Sequence, residues 1–279
     1  MNAPRVRTAC AVSTLLIAGL GTAHQALAAD ESPHSLKANV ALTSNYLFRG
    51  ISQTNNGPAV QGGFDYTYVP WSLYVGAWGS NVDSSSGVGT YVVNNNGDLV
   101  VTGPDTPNAE FLLLEAPGYD GASMELDIKA GWAPTFGKLG IDLGYVRYQY
   151  PMTKTDANNT NEYHLGLSYD ILGYVTPKFV ANYSDNFYGL GVAWYYDLTV
   201  AVPLPYAFSL SAHYGWTRYN NSVNHGGGYS YDDYSVSLSR EVYNGVVLAV
   251  SWVDRNNTDL CAPPFQCGST GVVTLSKSF

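Results

Sequence analysis

The sequence predicts an all-β protein: a transmembrane antiparallel up-and-down β-barrel of about twelve strands, with short periplasmic turns and long extracellular loops. Three observations lead there. Strand-like stretches succeed one another from Leu36 to Phe279, and the links between them alternate long and short. Outer-membrane barrels sort their connections in this way, because tight turns gather on one side and long loops on the other. Within the stretches, apolar and polar residues alternate with period two, as they do in a strand with lipid on one face and a lumen on the other. Charged residues make up only 13% and aromatics 14%, with 23 Tyr. An average soluble domain carries about 25% charge, whereas aromatic girdles at headgroup level account for abundant Tyr.

The chain opens on a secretory signal. Arg5 and Arg7 precede an apolar run over residues 11–20, and Ala26-Leu27-Ala28 is a small-x-small cleavage site. Residues 1–28 are therefore read as a signal peptide and 29–279 as the barrel. No later stretch holds 18 consecutive apolar residues, so no helical span is expected.

The first three strands are expected over residues 36–50, 59–69 and 72–80, joined by the polar link 51–57 and a tight turn at Pro70. A long extracellular insert, 81–122, follows. It has its own hairpin signal, Tyr91-Val92-Val93 and Leu99-Val100-Val101 around an Asn/Gly-rich turn. The insert either stands above the membrane or folds inward as a plug. The stretch 123–133 alternates most cleanly: Met124, Leu126, Ile128, Ala130 and Trp132 share one face, Glu125, Asp127, Lys129 and Gly131 the other. A helix would scatter those charges around its axis. Further strands are expected over 139–150, 161–170, 175–184, 188–202, 208–216, 232–242, 246–254 and 271–279. An even count returns both ends of the barrel to the periplasmic side.

Arg147, Arg240 and Lys277 fall on the apparent lipid face near strand ends, where long side chains snorkel to headgroups. A bulge near Gly144 would instead turn Arg147 inward. The opposite face is expected to carry Asp65, Glu125, Asp127, Lys129, Asp142, Glu162, His164, Asp197, His213 and Glu241 into the lumen. Arg49 is expected inward near the outer mouth, either as an ion pair with a neighbouring strand or as a constriction group. Carboxylates outnumber bases here, which favours cations or neutral polar solutes in a pore. Gly189, Gly191 and Ala193 suggest some open space.

The net charge is −9, and about −11 once Arg5 and Arg7 are removed. No basic run exists, which argues against nucleic acid as a partner. Cys261 and Cys267 are the only cysteines beyond the signal and flank one short loop, where an oxidising compartment predicts a local disulfide. Their spacing is wrong for a zinc knuckle and no His lies near, so no metal site is expected. No cofactor and no catalytic residue are assigned either. No nucleophile motif appears; His164 and His213 are read as luminal, His225 as a loop residue, and His34 lies near the N-terminus.

The run from Ala38 to Gln53, with its Phe48-Arg49-Gly50-Ile51-Ser52-Gln53, resembles the opening of the TorF family of proteobacterial porins. So do Pro58 to Tyr66, Trp78 to Val82, Met124-Glu125-Leu126-Asp127 and the closing Leu275-Ser276-Lys277-Ser278-Phe279; the insert at 81–122 is the departure. The resemblance implies a fold and a transport role without a substrate. Phe279, a terminal aromatic on an amphipathic strand, is what outer-membrane barrels present to the barrel-assembly machinery. The expectation is a porin in the bacterial outer membrane, among lipid and lipopolysaccharide, passing small polar solutes or ions by passive diffusion. The alternatives are a closed structural or adhesion barrel acting through its extracellular loops, and an outer-membrane lipid-modifying enzyme.

Overall fold

A computed structural model describes residues 32–83, 91–93, 99–101, 122–151, 153, 159–220, 230–256 and 267–279. Twelve strands close into one antiparallel barrel. They are β1 (His34–Thr43), β2 (Ala59–Tyr68), β3 (Leu73–Asn81), β4 (Met124–Trp132), β5 (Leu139–Gln149) and β6 (Thr160–Tyr169). The second half comprises β7 (Thr176–Ser184), β8 (Ala193–Pro203), β9 (Phe208–Tyr219), β10 (Tyr231–Tyr243), β11 (Val246–Arg255) and β12 (Thr270–Ser278). Each strand pairs with its neighbour in sequence. The seam closes between β12 and β1, with Asn39 opposite Ser278 and Thr43 opposite Thr274. Phe279 extends it, its backbone N–H donating to Ala38 O at 2.9 Å and its carbonyl accepting from Ala38 N at 3.2 Å. Closure leaves no sheet edge, as a strand-built wall in lipid requires. Among the described residues no helix is long and apolar enough to cross a membrane.

Alternation sorts the side chains. Val60, Phe64, Val75, Ile128, Leu143, Leu165, Leu238, Val250 and Leu275 are exposed on the outside. Aromatic rings meet there in pairs, Tyr145 with Tyr163 and Tyr214 with Trp216 among them. The turns on the side of the termini are tight. Asn244 and Gly245 both take positive φ, 43° and 78°, the primed geometry that matches strand twist. Pro70 fixes a single 3-10 turn between β2 and β3, with Ser72 left-handed behind it. Asp170 Oδ1 accepts the Gly173 N–H at 2.7 Å in another.

The structure departs from the sequence reading in four places. The first strand stops at Thr43 instead of running to residue 50, because the next residues leave the sheet to make a hairpin of their own. β8 starts at Ala193 rather than 188: Phe187–Gly189 form a 3-10 turn, and Gly189 and Gly191 have positive φ. Those two glycines are therefore not wall positions, and Ala193 is buried. β9 and β10 run longer than expected, to Tyr219 and from Tyr231 to Tyr243, and β10 carries a bulge between Glu241 and Tyr243. No bulge occurs at Gly144, where pairing runs unbroken from Leu139–Tyr169 to Tyr148–Thr160. Arg147 consequently stays on the outer face, donating to Asn161 Oδ1 at 3.1 Å.

Within the long insert, Tyr91–Val93 and Leu99–Val101 pair with each other, as the hairpin signal predicts. Residues 84–90, 94–98 and 102–121 of the insert, residues 1–31, His225 and Cys261 lie outside the described residues. So do the signal peptide, the plugging role considered for the insert and the disulfide to Cys267.

Candidate functional site

The inward-facing wall is polar and charged. Asp65 on β2, Glu125, Asp127 and Lys129 on β4, Asp142 on β5, Glu162 and His164 on β6, Asp197 on β8 and His213 on β9 all fall on it by strand alternation. Glu241, near the turn end of β10, accepts the Gly245 N–H at 2.8 Å.

The link between β1 and β2 gives this wall its main partner. Residues 44–58 fold into the barrel. At the tip, Leu47–Phe48 and Ile51–Ser52 pair as a minimal hairpin around Arg49 and Gly50. Both turn residues have positive φ, 50° and 75°, so Gly stands where a side chain is least tolerated. The hairpin is wired from within. Gln53 N donates to Tyr46 O at 2.7 Å, Ser52 Oγ to Asn45 Oδ1 at 2.7 Å, and Thr54 Oγ1 to Gly57 O at 2.6 Å.

Its contacts reach much of the way around the barrel. Tyr46 OH donates to Glu125 Oε1 on β4 at 3.1 Å. The Phe48 ring packs edge-on against Tyr148 of β5 and stacks on Phe187 ahead of β8. Gly50 lies so close to β10 and β11 that an added Cβ would stand 3.1 Å from Asp233 Cβ and 3.2 Å from Arg255 Cβ. Ile51 forms an isolated bridge with Cys267, before β12. The apolar part of the interior forms where this hairpin meets the wall, and contains Tyr46, Phe48, Val146, Tyr148, Tyr150 and Phe187.

Arg49 carries the central contact. Its Nη2 donates to both carboxylate oxygens of Glu162, at 2.7 and 2.8 Å. The guanidinium carbon lies 3.9 Å from the Tyr195 ring centre, 4.7 Å from Phe48 and 5.0 Å from Phe187. Tyr148 OH donates to Glu162 Oε2 at 2.9 Å. Only 3% of the Arg49 side chain and 2% of that of Glu162 are exposed, so the pair is desolvated. An isolated charge in that position would cost several kcal/mol; pairing and stacking offset this. Of the two roles expected for Arg49, the structure shows the ion pair, made from an inward-folded link to a strand distant in sequence.

Two further clusters occupy the wall. Asp142 accepts from Tyr74 OH at 3.1 Å and lies 3.1 Å from His164 Nε2. His213 sits between two carboxylates, Nδ1 2.8 Å from Asp197 and Nε2 2.8 Å from Asp233, a setting that suits two N–H donors and hence the imidazolium. Lys129 pairs with Asp65 at 2.8 Å. Glycines opposite these groups leave no void. A Cβ on Gly131 or Gly144 would overlap the Tyr74 hydroxyl, and one on Gly215 the Tyr195 hydroxyl. Small residues here accommodate large neighbours. Among the described residues no group of three or more His, Cys, Asp or Glu is arranged to hold a metal ion.

Sequence reasoning missed several participants. Tyr148 and Tyr195 share parity with Asp142 and Asp197 on their strands, and Tyr74 with Ser80 on β3, which was the available signal; tyrosines were assigned to the girdle instead. Asp233 and Arg255 lie at the loop ends of β10 and β11. Arg255 falls one residue beyond the expected end of its strand, and its guanidinium stands 3.8 Å over the Tyr231 ring.

The chain belongs to the Gcw_chp family, described as bacterial proteins of unknown function, whose match spans residues 27–279. The match carries that name and not the TorF name. Solved structures share the barrel. The KdgM porin aligns with a TM-score of 0.51 at 7% identity, covering 87% of this chain and 99% of its own. The NanC porin aligns at 0.50 and 7%, covering 88% and 99%. KdgM in complex with disordered oligogalacturonate aligns at 0.51 and 7%, covering 88% and 98%. At such identity the likeness establishes the fold of outer-membrane porins. No curated protein matches the sequence.

Proposed function

We propose that this chain is a narrow outer-membrane channel for small polar solutes or ions, with residues 44–58 setting its constriction. The carrying observation is the two-sided wall: Leu, Val, Ile and aromatic side chains exposed outside, acidic, basic and hydroxyl groups inside. A closed barrel with that sidedness belongs in lipid. The porin fold and the signal-like N-terminus support the outer membrane as its site, with lipid and lipopolysaccharide against the aromatic face. The seam made by the last strand supports Phe279 as the contact for barrel assembly: its backbone closes the ring and its side chain is exposed.

Among the described residues the interior presents eight carboxylates, Asp65, Glu125, Asp127, Asp142, Glu162, Asp197, Asp233 and Glu241. The bases there, fewer in number, are Lys37, Arg49, Lys129, Lys178, Arg255 and, between its two carboxylates, His213. Excess negative charge in a pore favours cations. The reading needs no enzymatic activity and no cofactor. The test is conductance of the refolded protein in a planar bilayer under a salt gradient: cation-preferring steps are expected, and an anion-preferring reversal potential would reject the assigned charge lining.

A closed barrel acting through its outer loops is the second reading. The observation favouring it is the sealing of the interior around the hairpin, where Ser184 and Thr217 have no exposed surface at all. Stable insertion without conductance, persisting after the hairpin is removed, would select it.

A further inference from the structure

The surroundings of Arg49 form a site that is complete without the loop that fills it. Glu162 comes from β6, Tyr148 from β5, Tyr195 from β8 and Phe187 from the turn before β8. Together they offer what a planar cation needs. One carboxylate has both oxygens available, two aromatic faces lie within 5.0 Å of the guanidinium carbon, and the Tyr148 hydroxyl at 2.9 Å orients the carboxylate.

The occupant fits less well than the site allows. Arg49 must adopt φ 50°, a left-handed conformation that costs a residue with a Cβ. Its Nε is buried without a hydrogen-bond partner among the described residues. A tethered side chain accepts these penalties because its effective concentration is high, whereas a free cation has no backbone to strain and can turn its N–H groups within the site.

We propose that Glu162, Tyr148, Tyr195 and Phe187 form a binding site for guanidinium-type organic cations. The Arg49 hairpin occupies it as a tethered ligand and yields it to a free cation of that class. Displacement frees the hairpin from the wall, so arrival of the solute and opening of the constriction are one event. Binding follows from the site alone; the coupling to opening rests on the channel reading above.

The test uses the full barrel, refolded in lipid, as wild type, Arg49→Ala and Arg49→Ala/Glu162→Gln. The probe is methylguanidinium at about 10 mM, at or above the millimolar effective concentration of a short tether, with methylammonium as control. Methylguanidinium is expected to raise the thermal midpoint of Arg49→Ala by several degrees, to leave the double variant unmoved, and to exceed methylammonium in its effect. In bilayers it is expected to increase the opening frequency of the wild type, while Glu162→Gln opens often and ignores the probe. Equal midpoints for Arg49→Ala with and without methylguanidinium would overturn the site. Should Arg49→Ala fail to refold, an opening frequency of the wild type that methylguanidinium leaves unchanged would overturn it in its place. A midpoint shift with no conductance from any form would keep the site and reject the channel. Conductance without a midpoint shift would reject the site and keep the channel.

Discussion

Removing the guanidinium of Arg49 should release the inward hairpin without dismantling the barrel. The Arg49–Glu162 contact is a desolvated ion pair with two short hydrogen bonds, flanked by three rings. Breaking such a pair by deleting one partner costs about 3–5 kcal/mol, mostly because the remaining charge is stranded. Tyr148 still hydrogen-bonds Glu162, which places the expected loss toward the lower end. The barrel's own ladders do not involve Arg49, so the cost falls on the hairpin. At 1.4 kcal/mol per decade, amide exchange within residues 46–53 should quicken by roughly a hundred- to a few-thousand-fold in Arg49→Ala. The assay is hydrogen–deuterium exchange by mass spectrometry on the protein in lipid vesicles, with peptides from β4 and β9 as internal references. Glu162→Gln should give a similar change, and the double variant much less than the sum of the two. Exchange within threefold of wild type in both single variants would refute the reasoning, because the hairpin would then be held by its internal hydrogen bonds and by Phe48.

Further outcomes follow from the same geometry. Gly50→Ala meets a positive φ of 75° and two Cβ atoms at 3.1 and 3.2 Å, so it should weaken hairpin docking by at least about 1–2 kcal/mol and raise conductance; unchanged current noise would contradict it. Gly144→Ala must displace Tyr74 or His164 and should destabilise the barrel by about 1–3 kcal/mol, read as a lower urea midpoint of the refolded protein. His213→Ala leaves Asp197 and Asp233 without the group between them; about 3 kcal/mol of stability should be lost, and His213→Ala combined with Asp233→Asn should recover part of it. Alkylation without reduction should leave both Cys261 and Cys267 unmodified, by mass, and adduct on either would exclude the expected disulfide.

The barrel was legible because its signal is local and repeats. In β4, Glu125, Asp127 and Lys129 alternate with Met124, Leu126 and Ile128, and closure requires only that neighbouring strands do likewise. All ten strand residues singled out for the lumen could be given a face by parity alone, whereas Arg49 lies on a link. Their partners could not be read, since Arg49 and Glu162 are 113 residues apart. The inward hairpin was misread as a strand end because Ala41, Thr43 and Asn45 continue the alternation past the last ladder pair at Thr43. The Arg-Gly pair at 49–50 was the available turn signal, since the turn takes positive φ at both central positions and glycine tolerates it best. Luminal space was misplaced for a different reason: Gly189 and Gly191 were read as wall positions of a strand, whereas both have positive φ in the turn ahead of β8, and Ala193, where the strand begins, is buried.

The most direct test of a channel constricted by its own first outer link compares single-channel currents of two forms in planar bilayers under a salt gradient. One is the wild type; the other replaces residues 47–52 with two glycines, keeping the Gln53-to-Tyr46 hydrogen bond that closes the hairpin base. Rare, small openings from the wild type and persistent, larger, cation-preferring steps from the shortened form are the predicted result. Silence from both forms, with both correctly inserted, would contradict the account.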